Sequence, residues 1–281
     1  MFSFLTLNFF IYAIIISLII GVSSALLSPY LVLDEQALIA DGLAHVSFTG
    51  IVIGVLLLSQ PLFISIPFTA VFSVLIKYLI RNKNINGDAA LGLLSAISLA
   101  LGLIIIHKSS GFNQSIETML VGNLWTVNKT EIIIASITLV LIILFVFLNY
   151  NDLLLLTFDL KYAKFKKIKD TFLSYTLAVL TAVLITIGVK TIGTLLIASF
   201  VIFPVLVGKE FNKGFKITHL IGVISSIVSV LIGIILAHII DIPAGSSIVL
   251  VYTGFLLFTM LYNKILNRRS FRWSNLQAKE N

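Results

Sequence analysis

The sequence predicts an all-α protein that crosses a membrane about nine times. Hydrophobic residues make up 59% of the 281 residues and charged residues only 11%, whereas a soluble domain has about 25% charged residues. The apolar residues lie in runs of about 20, the length that a helix needs to cross a bilayer. The net charge of +7 does not indicate a nucleic-acid partner, because the basic residues form short clusters between apolar runs.

Breaks between the apolar runs define the predicted spans. The sixth and seventh spans are separated only by Lys190 and Thr191, so eight spans are the alternative count. No interruption is long enough to fold alone, which predicts one transmembrane domain over residues 1–281. No basic residue precedes the first apolar run, so we expect a retained span and not a cleaved signal peptide. The spans are 9–33, 36–58, 62–80, 89–107, 132–150, 171–189, 191–207, 217–239 and 246–263.

Basic residues predict the orientation of the chain, because Lys and Arg are enriched on the cytoplasmic side of a membrane protein. With the N-terminus outside, sixteen of the nineteen Lys and Arg residues face the cytoplasm. The three on the outside are Lys108, Lys129 and Lys190. This distribution requires an odd number of spans and places the C-terminus in the cytoplasm.

Asp41 and His45 are the ionisable pair within a predicted span, once loop and span-edge residues are set aside. Their i, i+4 spacing puts both side chains on one face of span 2. Counted from Asp34 at 1.5 Å per residue, they lie about 10 and 16 Å into the membrane, which puts His45 near the midplane. A charge at that depth costs at least a few kcal/mol and indicates function.

A carboxylate and an imidazole suit Zn²⁺ or Mn²⁺, and the absence of cysteine argues against copper(I). Two ligands are too few for a metal site, but a homodimer with span 2 at its axis would supply four. The alternative is that Asp41 and His45 only hold two helices together by hydrogen bonding.

Several short motifs occur in order along most of the chain. They are LIADGLAHVSFTG at 38–50, MLVGNL at 119–124, FDLKYA at 158–163, GTLL at 193–196 with Pro204, and DIPAGSSIV at 241–249. These motifs resemble those of the permeases of zinc/manganese ABC uptake transporters. The second-span signature of that family is approximately (G/A)-D-x-(L/I)-(S/A)-H, with a glycine five residues later. Its external segment, its cytoplasmic F-D-x-x-x-A segment and its G-x-L-L…P and D-(I/L)-P-(S/A)-G endings match the other four stretches.

The resemblance implies a type II ABC importer-like permease in a bacterial cell membrane. It implies a homodimer with two cytosolic ATP-binding subunits and an extracellular metal-binding protein. Asp41 and His45 would coordinate the transported ion, with Zn²⁺ favoured over Mn²⁺ and no permanently bound cofactor. The segment 158–170 would couple the permease to the ATPase. The coupling residues that match the family motif, or follow it, are Phe158, Asp159, Ala163 and Lys167.

Three residues depart from the family pattern. Ala44 stands where many relatives have Ser, Thr49 where Pro is frequent, and Lys167 where a glycine is usual. The expected effect of these departures is on helix packing and ATPase docking and not on the metal site.

His107, His238 and Asp241 lie at the predicted external ends of spans 4 and 8. We expect either that they receive the metal from the binding protein or that they are interfacial polar caps. The distinction depends on whether the structure groups them with other ligands.

Two other functions remain as alternatives. A permease for a chelated metal, such as a siderophore or cobalamin complex, would have a wider pathway and no need of an intramembrane Asp–His pair. An intramembrane metalloenzyme would need a third ligand and a general base, as in H-E-x-x-H, which does not occur. The chain also lacks G-x-x-x-x-G-K-S/T, so we expect a transport subunit, not an enzyme, whose ATP is hydrolysed by another chain.

Overall fold

In the computed structural model, helices joined by short turns account for most of the described residues, and no strand occurs among them. The described residues are 8–34, 36–57, 61–83, 85–109, 122, 124–211 and 213–280. A short 3₁₀ turn covers Leu124–Thr126. The α-helices are α1 (Asn8–Val32), α2 (Ile39–Leu57), α3 (Leu62–Lys83), α4 (Gly87–Lys108), α5 (Lys129–Leu148), α6 (Tyr150–Phe158), α7 (Leu160–Phe165), α8 (Asp170–Ile192), α9 (Thr194–Glu210), α10 (Phe215–Ile240) and α11 (Ala244–Glu280).

Eight of the described helices are long and apolar enough to cross a membrane, namely α1 to α5, α8, α10 and α11. The remaining predicted span corresponds to α9, which has 17 residues, somewhat fewer than the about 20 of a typical span. Its first turn adjoins the start of α11, where a Cβ on Gly245 would lie 3.7 Å from Leu196. Its last residue, Glu210, accepts a hydrogen bond from Asn263, near the end of the apolar part of α11. α9 therefore runs the length of the bundle.

The break between α8 and α9 lies at Gly193, two residues later than predicted. Gly193 has φ +88° and its N–H donates to Gly188 and Val189, so it ends α8 in a backbone conformation that suits glycine. α8 continues through Lys190, whose side chain forms an ion pair with Glu131 of α5. Glu131 is buried and also completes the capping box of α5 with Asn128.

The long helices pack in two groups. α2, α3, α4 and α8 form one group, and α1, α5, α9, α10 and α11 form the other. α9 contacts α1, α10 and α11 and also reaches α2 and α8, so it joins the two groups. α2, which carries the predicted site, lies between α3, α4 and α8.

Polarity is arranged as the bilayer requires. Large apolar side chains such as Ile104, Val140 and Phe147 are exposed on the outer faces of the helices, where lipid would cover them. Small polar residues lie inside, including Ser24 of α1 and Ser226 of α10, which are fully buried. Small interior residues allow close helix approach in membranes, where apolar burial gives no driving force between helices.

The two ends of the bundle differ in charge. One end, called here the basic end, is where α3 and α9 finish, where α7 lies and where α8 begins. It carries Arg81, Lys164 and Lys209, whereas the opposite end carries Lys108 and Lys190.

Candidate metal site

Asp41 and His45 form the exposed part of an otherwise buried stretch of α2. Residues 39–52 of this helix are buried except for these two, of which the Asp41 side chain is 64% exposed and the His45 side chain 33%. His45 Nε2 lies 3.9 Å from Asp41 Oδ2. The i, i+4 spacing thus places both groups on one face, as predicted, and that face points away from the helices of its own chain.

Packing on the other faces of α2 fixes this direction. A Cβ on Gly42 would lie 3.1 Å from Leu91 of α4, so α4 approaches the helix closely there. The Thr49 hydroxyl donates to the Ser98 carbonyl of α4 at 2.6 Å. Thr49, which departs from the family pattern, therefore binds α2 to α4. Ala44, the other departure on this helix, is buried.

The pair lies closer to the basic end than the sequence indicates. The chain turns between α1 and α2, at residues 33–34 and 36–38, where Gln36 N–H donates to the Leu31 carbonyl and Ile39 N–H donates to the Gln36 carbonyl. Because α2 begins only at Ile39, His45 lies about 9 Å along the helix axis from its first residue. This is the first third of α2 and not its middle.

Asp41 also has a structural role. It lies in the first turn of α2, where a carboxylate is favourable because the N-terminal backbone N–H groups carry partial positive charge. The two ring nitrogens of His45 differ in their surroundings. Nδ1 is buried without a hydrogen-bond partner in the described part of the chain, whereas Nε2 is the nitrogen that lies 3.9 Å from Asp41 Oδ2. Within the described residues, no hydrogen bond from this pair to another helix is found.

The described part of the chain supplies two candidate ligands at this point. Among these residues, no group of three or more His, Cys, Asp and Glu side chains could hold a metal ion. A metal bound at Asp41 and His45 would take its further ligands from outside this described set.

The residues predicted to receive the metal lie at the opposite end of the bundle, with His107 on a different helix from His238 and Asp241. His107 is in the last turn of α4, which packs against α2 and α3, whereas His238 and Asp241 end α10, which packs against α1, α9 and α11. All three are exposed. The His238 ring lies 5.8 Å from the ring of Phe10. Asp241 has φ +57° and terminates α10.

The predicted coupling segment is a pair of short helices at the basic end. Asp159 lies between α6 and α7, and its carboxylate accepts a hydrogen bond from Tyr162 N–H at 2.9 Å, which caps α7. Ala163 is buried, Phe158 is exposed, and the Phe158 ring lies 5.6 Å from Phe215 of α10.

Lys167 ends α7 in a left-handed conformation, with φ +57°. Its N–H donates to the Lys164 carbonyl, and Ile168 N–H donates to the Ala163 carbonyl. These two bonds form a Schellman motif, in which glycine is the usual residue at this position. The departure at Lys167 therefore keeps the backbone turn that a glycine would make.

Polar contacts near the site were not anticipated from the sequence. Lys77 donates to Gln36 Oε1 at 3.0 Å, and Arg81 pairs with Asp170 at 2.8 Å. The signal that could have identified Lys77 is its position within the predicted span 62–80.

Most of the 119–124 motif lies outside the described residues. Gly122 is described and lies directly against the Ile192–Gly193 turn.

Comparisons with known proteins agree with this fold. The chain is 30% identical to a probable iron transport system membrane protein of Haemophilus influenzae, covering 90% of this chain and 93% of that protein. It is 24% identical to a high-affinity zinc uptake system membrane protein of the same organism, covering 90% and 96%. Other relatives, in Halalkalibacterium halodurans and Synechocystis, are named as manganese transport system membrane proteins.

A solved structure has the same fold. PsaBC from Streptococcus pneumoniae, in complex with a Fab, superimposes with a TM-score of 0.80 at 24% identity, covering 92% of this chain and 96% of that chain. Residues 6–263 match the ABC 3 transport family, which confirms the resemblance inferred from the motifs. The all-helical chain with its outward-facing Asp41 and His45 belongs to the ABC 3 transport family.

Proposed function

We propose that this chain is the permease subunit of an ATP-driven importer that moves a divalent transition-metal ion across the bacterial plasma membrane. The observation that carries the proposal is the outward-facing pair Asp41 and His45 on a helix whose other faces are packed. Metals in the names of the relatives support the same substrate class.

Zn²⁺ is the favoured ion, with Mn²⁺ second. One carboxylate and one imidazole from each of two chains would provide four ligands of the kinds that Zn²⁺ binds, and the same oxygen and nitrogen donors accept Mn²⁺. The names of the relatives divide among zinc, manganese and iron, so the test includes Fe²⁺.

The proposed assembly is a homodimer with two cytosolic ATP-binding chains and an extracellular metal-binding protein. The exposure of Asp41 and His45 supports a second copy, because the described residues of one chain supply two ligands and a second chain would supply two more. The basic end faces the cytoplasm in this proposal, since Lys and Arg concentrate there. α6 and α7 then lie where a cytosolic ATPase docks.

Uptake of radioactive Zn²⁺, Mn²⁺ and Fe²⁺ by cells expressing the complete transporter tests this function. We expect Asp41→Ala and His45→Ala to lower uptake of the native ion at least about tenfold, since even the outer-shell partners of metal ligands are worth about 10- to 100-fold in affinity. Asp88→Ala is the matched control, because Asp88 is an exposed carboxylate in the first turn of the neighbouring helix α4.

The amount of each variant in the membrane is measured, and co-purification measures its assembly with the ATPase. Normal uptake by assembled Asp41→Ala and His45→Ala would show that the pair is structural. Uptake of a chelated metal in place of a free ion would support the alternative permease function.

We also propose that the ion is received at the outer face by His107, His238 and Asp241. Asp241→Asn is the sharpest test, because asparagine tolerates the left-handed backbone but has no charge. We expect a higher KM for the metal-loaded binding protein with kcat unchanged. Unchanged KM in Asp241→Asn, His107→Gln and His238→Gln would show that the three residues are only polar caps.

A further inference from the structure

Two sets of side-chain contacts at the basic end, both made by α3, connect the coupling segment with the turn that precedes the metal site. Arg81, in the last turn of α3, donates to Asp170 Oδ2 at 2.8 Å and to the Thr171 hydroxyl at 3.0 Å. Asp170 begins α8, five residues after α7 ends. One helical turn before Arg81, Lys77 donates to Gln36 Oε1 at 3.0 Å.

Lys77 is unusual for a residue that only sets orientation. It is 8% exposed. Its ammonium donates to Gln36 Oε1, and the Gln36 amide donates in turn to the Asp34 carboxylate, which also attracts Lys77 electrostatically. Burying an ammonium group costs several kcal/mol unless it is well paired, whereas an exposed lysine serves equally well to orient a span. The position of Lys77 therefore indicates a role beyond topology.

Gln36 connects Lys77 to the start of α2. Its N–H holds the end of α1 through the Leu31 carbonyl at 2.9 Å, and its carbonyl accepts from Ile39 N–H, the first residue of α2, at 3.1 Å. Asp41 follows two residues later. A displacement of Gln36 therefore moves the first turn of α2, which carries Asp41.

A cavity of about 770 Å³ separates these elements. Gln36, Lys77 and Arg81 line it, together with Lys164 of α7 and Leu153 of α6. Packed interiors transmit strain but leave little room for relative movement. The cavity allows α6 and α7 to shift towards α3 and the turn between α1 and α2 without collision, while the polar contacts hold the elements together.

We propose that Asp170, Arg81, Lys77 and Gln36 form a polar link that transmits movement of α6 and α7 to the start of α2. The four act on the movement of α2 and not on the affinity of the resting site for the ion. The link rests on the proposed function, because it needs an ATPase that moves α6 and α7 and an ion held at Asp41 and His45. It is a defined set of contacts whose geometry both sites affect.

The test uses the complete transporter in proteoliposomes, with Lys77→Met and Arg81→Gln as the variants. Three quantities are measured: the Kd of the resting complex for the ion, the ATPase rate, and the ions transported per ATP. We expect Kd and the ATPase rate to be kept and the ions per ATP to fall about tenfold, a typical size for coupling between sites. Lys83→Met is the matched control, because Lys83 is exposed in the last turn of α3.

Equal losses of ATPase rate and transport would overturn the link, since a general structural defect or lost docking has that effect. Unchanged ions per ATP in both variants would also overturn it. Failure of the proposed function is recognised separately, because wild-type transporter would then neither bind nor transport a metal ion.

A covalent bridge in place of the Lys77–Gln36 hydrogen bond gives a second test, in which the same folded sample is compared before and after bridging. The chain has no cysteine, so Gln36→Cys with Lys77→Cys introduces one reactive pair. We expect this variant to hydrolyse ATP with few ions transported, and a short bifunctional thiol reagent to raise the ions per ATP in the same sample. If bridging does not change the number of ions transported per ATP, the contact between residues 36 and 77 transmits no movement.

Discussion

At the scale of single residues, the informative comparison is between Asp41 and Lys77. Both lie in apolar helices, but Asp41 faces outward next to His45, whereas Lys77 points into its own chain and contacts Gln36. The 3.6-residue period of a helix predicts that Asp41 and His45 share a face. The period does not predict which side chain Lys77 contacts, because its partner Gln36 lies in the turn between α1 and α2 and not in α3.

Lys167 provides a test of backbone strain at this scale. Its left-handed backbone costs a non-glycine residue about 1–2 kcal/mol. We expect Lys167→Gly to stabilise the protein by about 1 kcal/mol, since glycine adopts this conformation freely but loses some chain entropy. Thermal unfolding of the detergent-solubilised protein measures the change.

Lys166→Gly is the control for the lost charge, because Lys166 has an ordinary φ of −71°. We expect this variant to be no more stable than the wild type. Equal effects of the two substitutions would attribute the change to charge and not to the backbone.

At the scale of helices, glycines decide how closely the spans approach. A Cβ on Gly208 of α9 would collide with the Thr218 backbone carbonyl of α10. A Cβ on Gly254 of α11 would meet nothing within 4 Å. The sequence shows both as glycines in apolar helices, and only the packing distinguishes them.

Gly208→Ala and Gly254→Ala form a matched pair for this distinction. We expect Gly208→Ala to lower stability by about 1–3 kcal/mol, because α9 and α10 must move apart. Gly254→Ala removes a poor helix former at an exposed position, so we expect it to be neutral or stabilising by up to about 1 kcal/mol. The apparent Tm in detergent measures both, and a larger loss for Gly254→Ala would contradict the packing argument.

At the scale of the whole molecule, the arrangement of charge predicts the orientation in the membrane. Lys108 and Lys213 are exposed at opposite ends of the bundle. The absence of native cysteine means that a single introduced cysteine reports its own side. We expect a membrane-impermeant thiol reagent to label Lys108→Cys in intact cells or spheroplasts and Lys213→Cys only after permeabilisation.

The opposite labelling pattern would show that the bundle has the reverse orientation in the membrane, with α6 and α7 outside the cell. Such a result would remove the basis for ATPase docking at α6 and α7. Uptake by both cysteine variants is measured alongside, so that labelling is read on functional protein.

The sequence by itself determined the helical membrane class, the approximate spans, the transport family and the shared face of Asp41 and His45. These follow from local properties: apolar run length, the helical period and contiguous motifs. It also indicated that Lys167 replaces a glycine, and the left-handed backbone there gives the physical reason for that preference.

Only the tertiary structure decided which way that face points, how deep the pair lies and which residues join α2 to α3. His45 lies nearer the basic end than counting from Asp34 predicts, because hydrogen bonds at Gln36 form a turn before α2 begins. The partners of Lys77, Arg81 and Glu131 are 41, 89 and 59 residues away in the chain. Contacts over such separations depend on how the spans pack against one another, and no local period or motif records that packing.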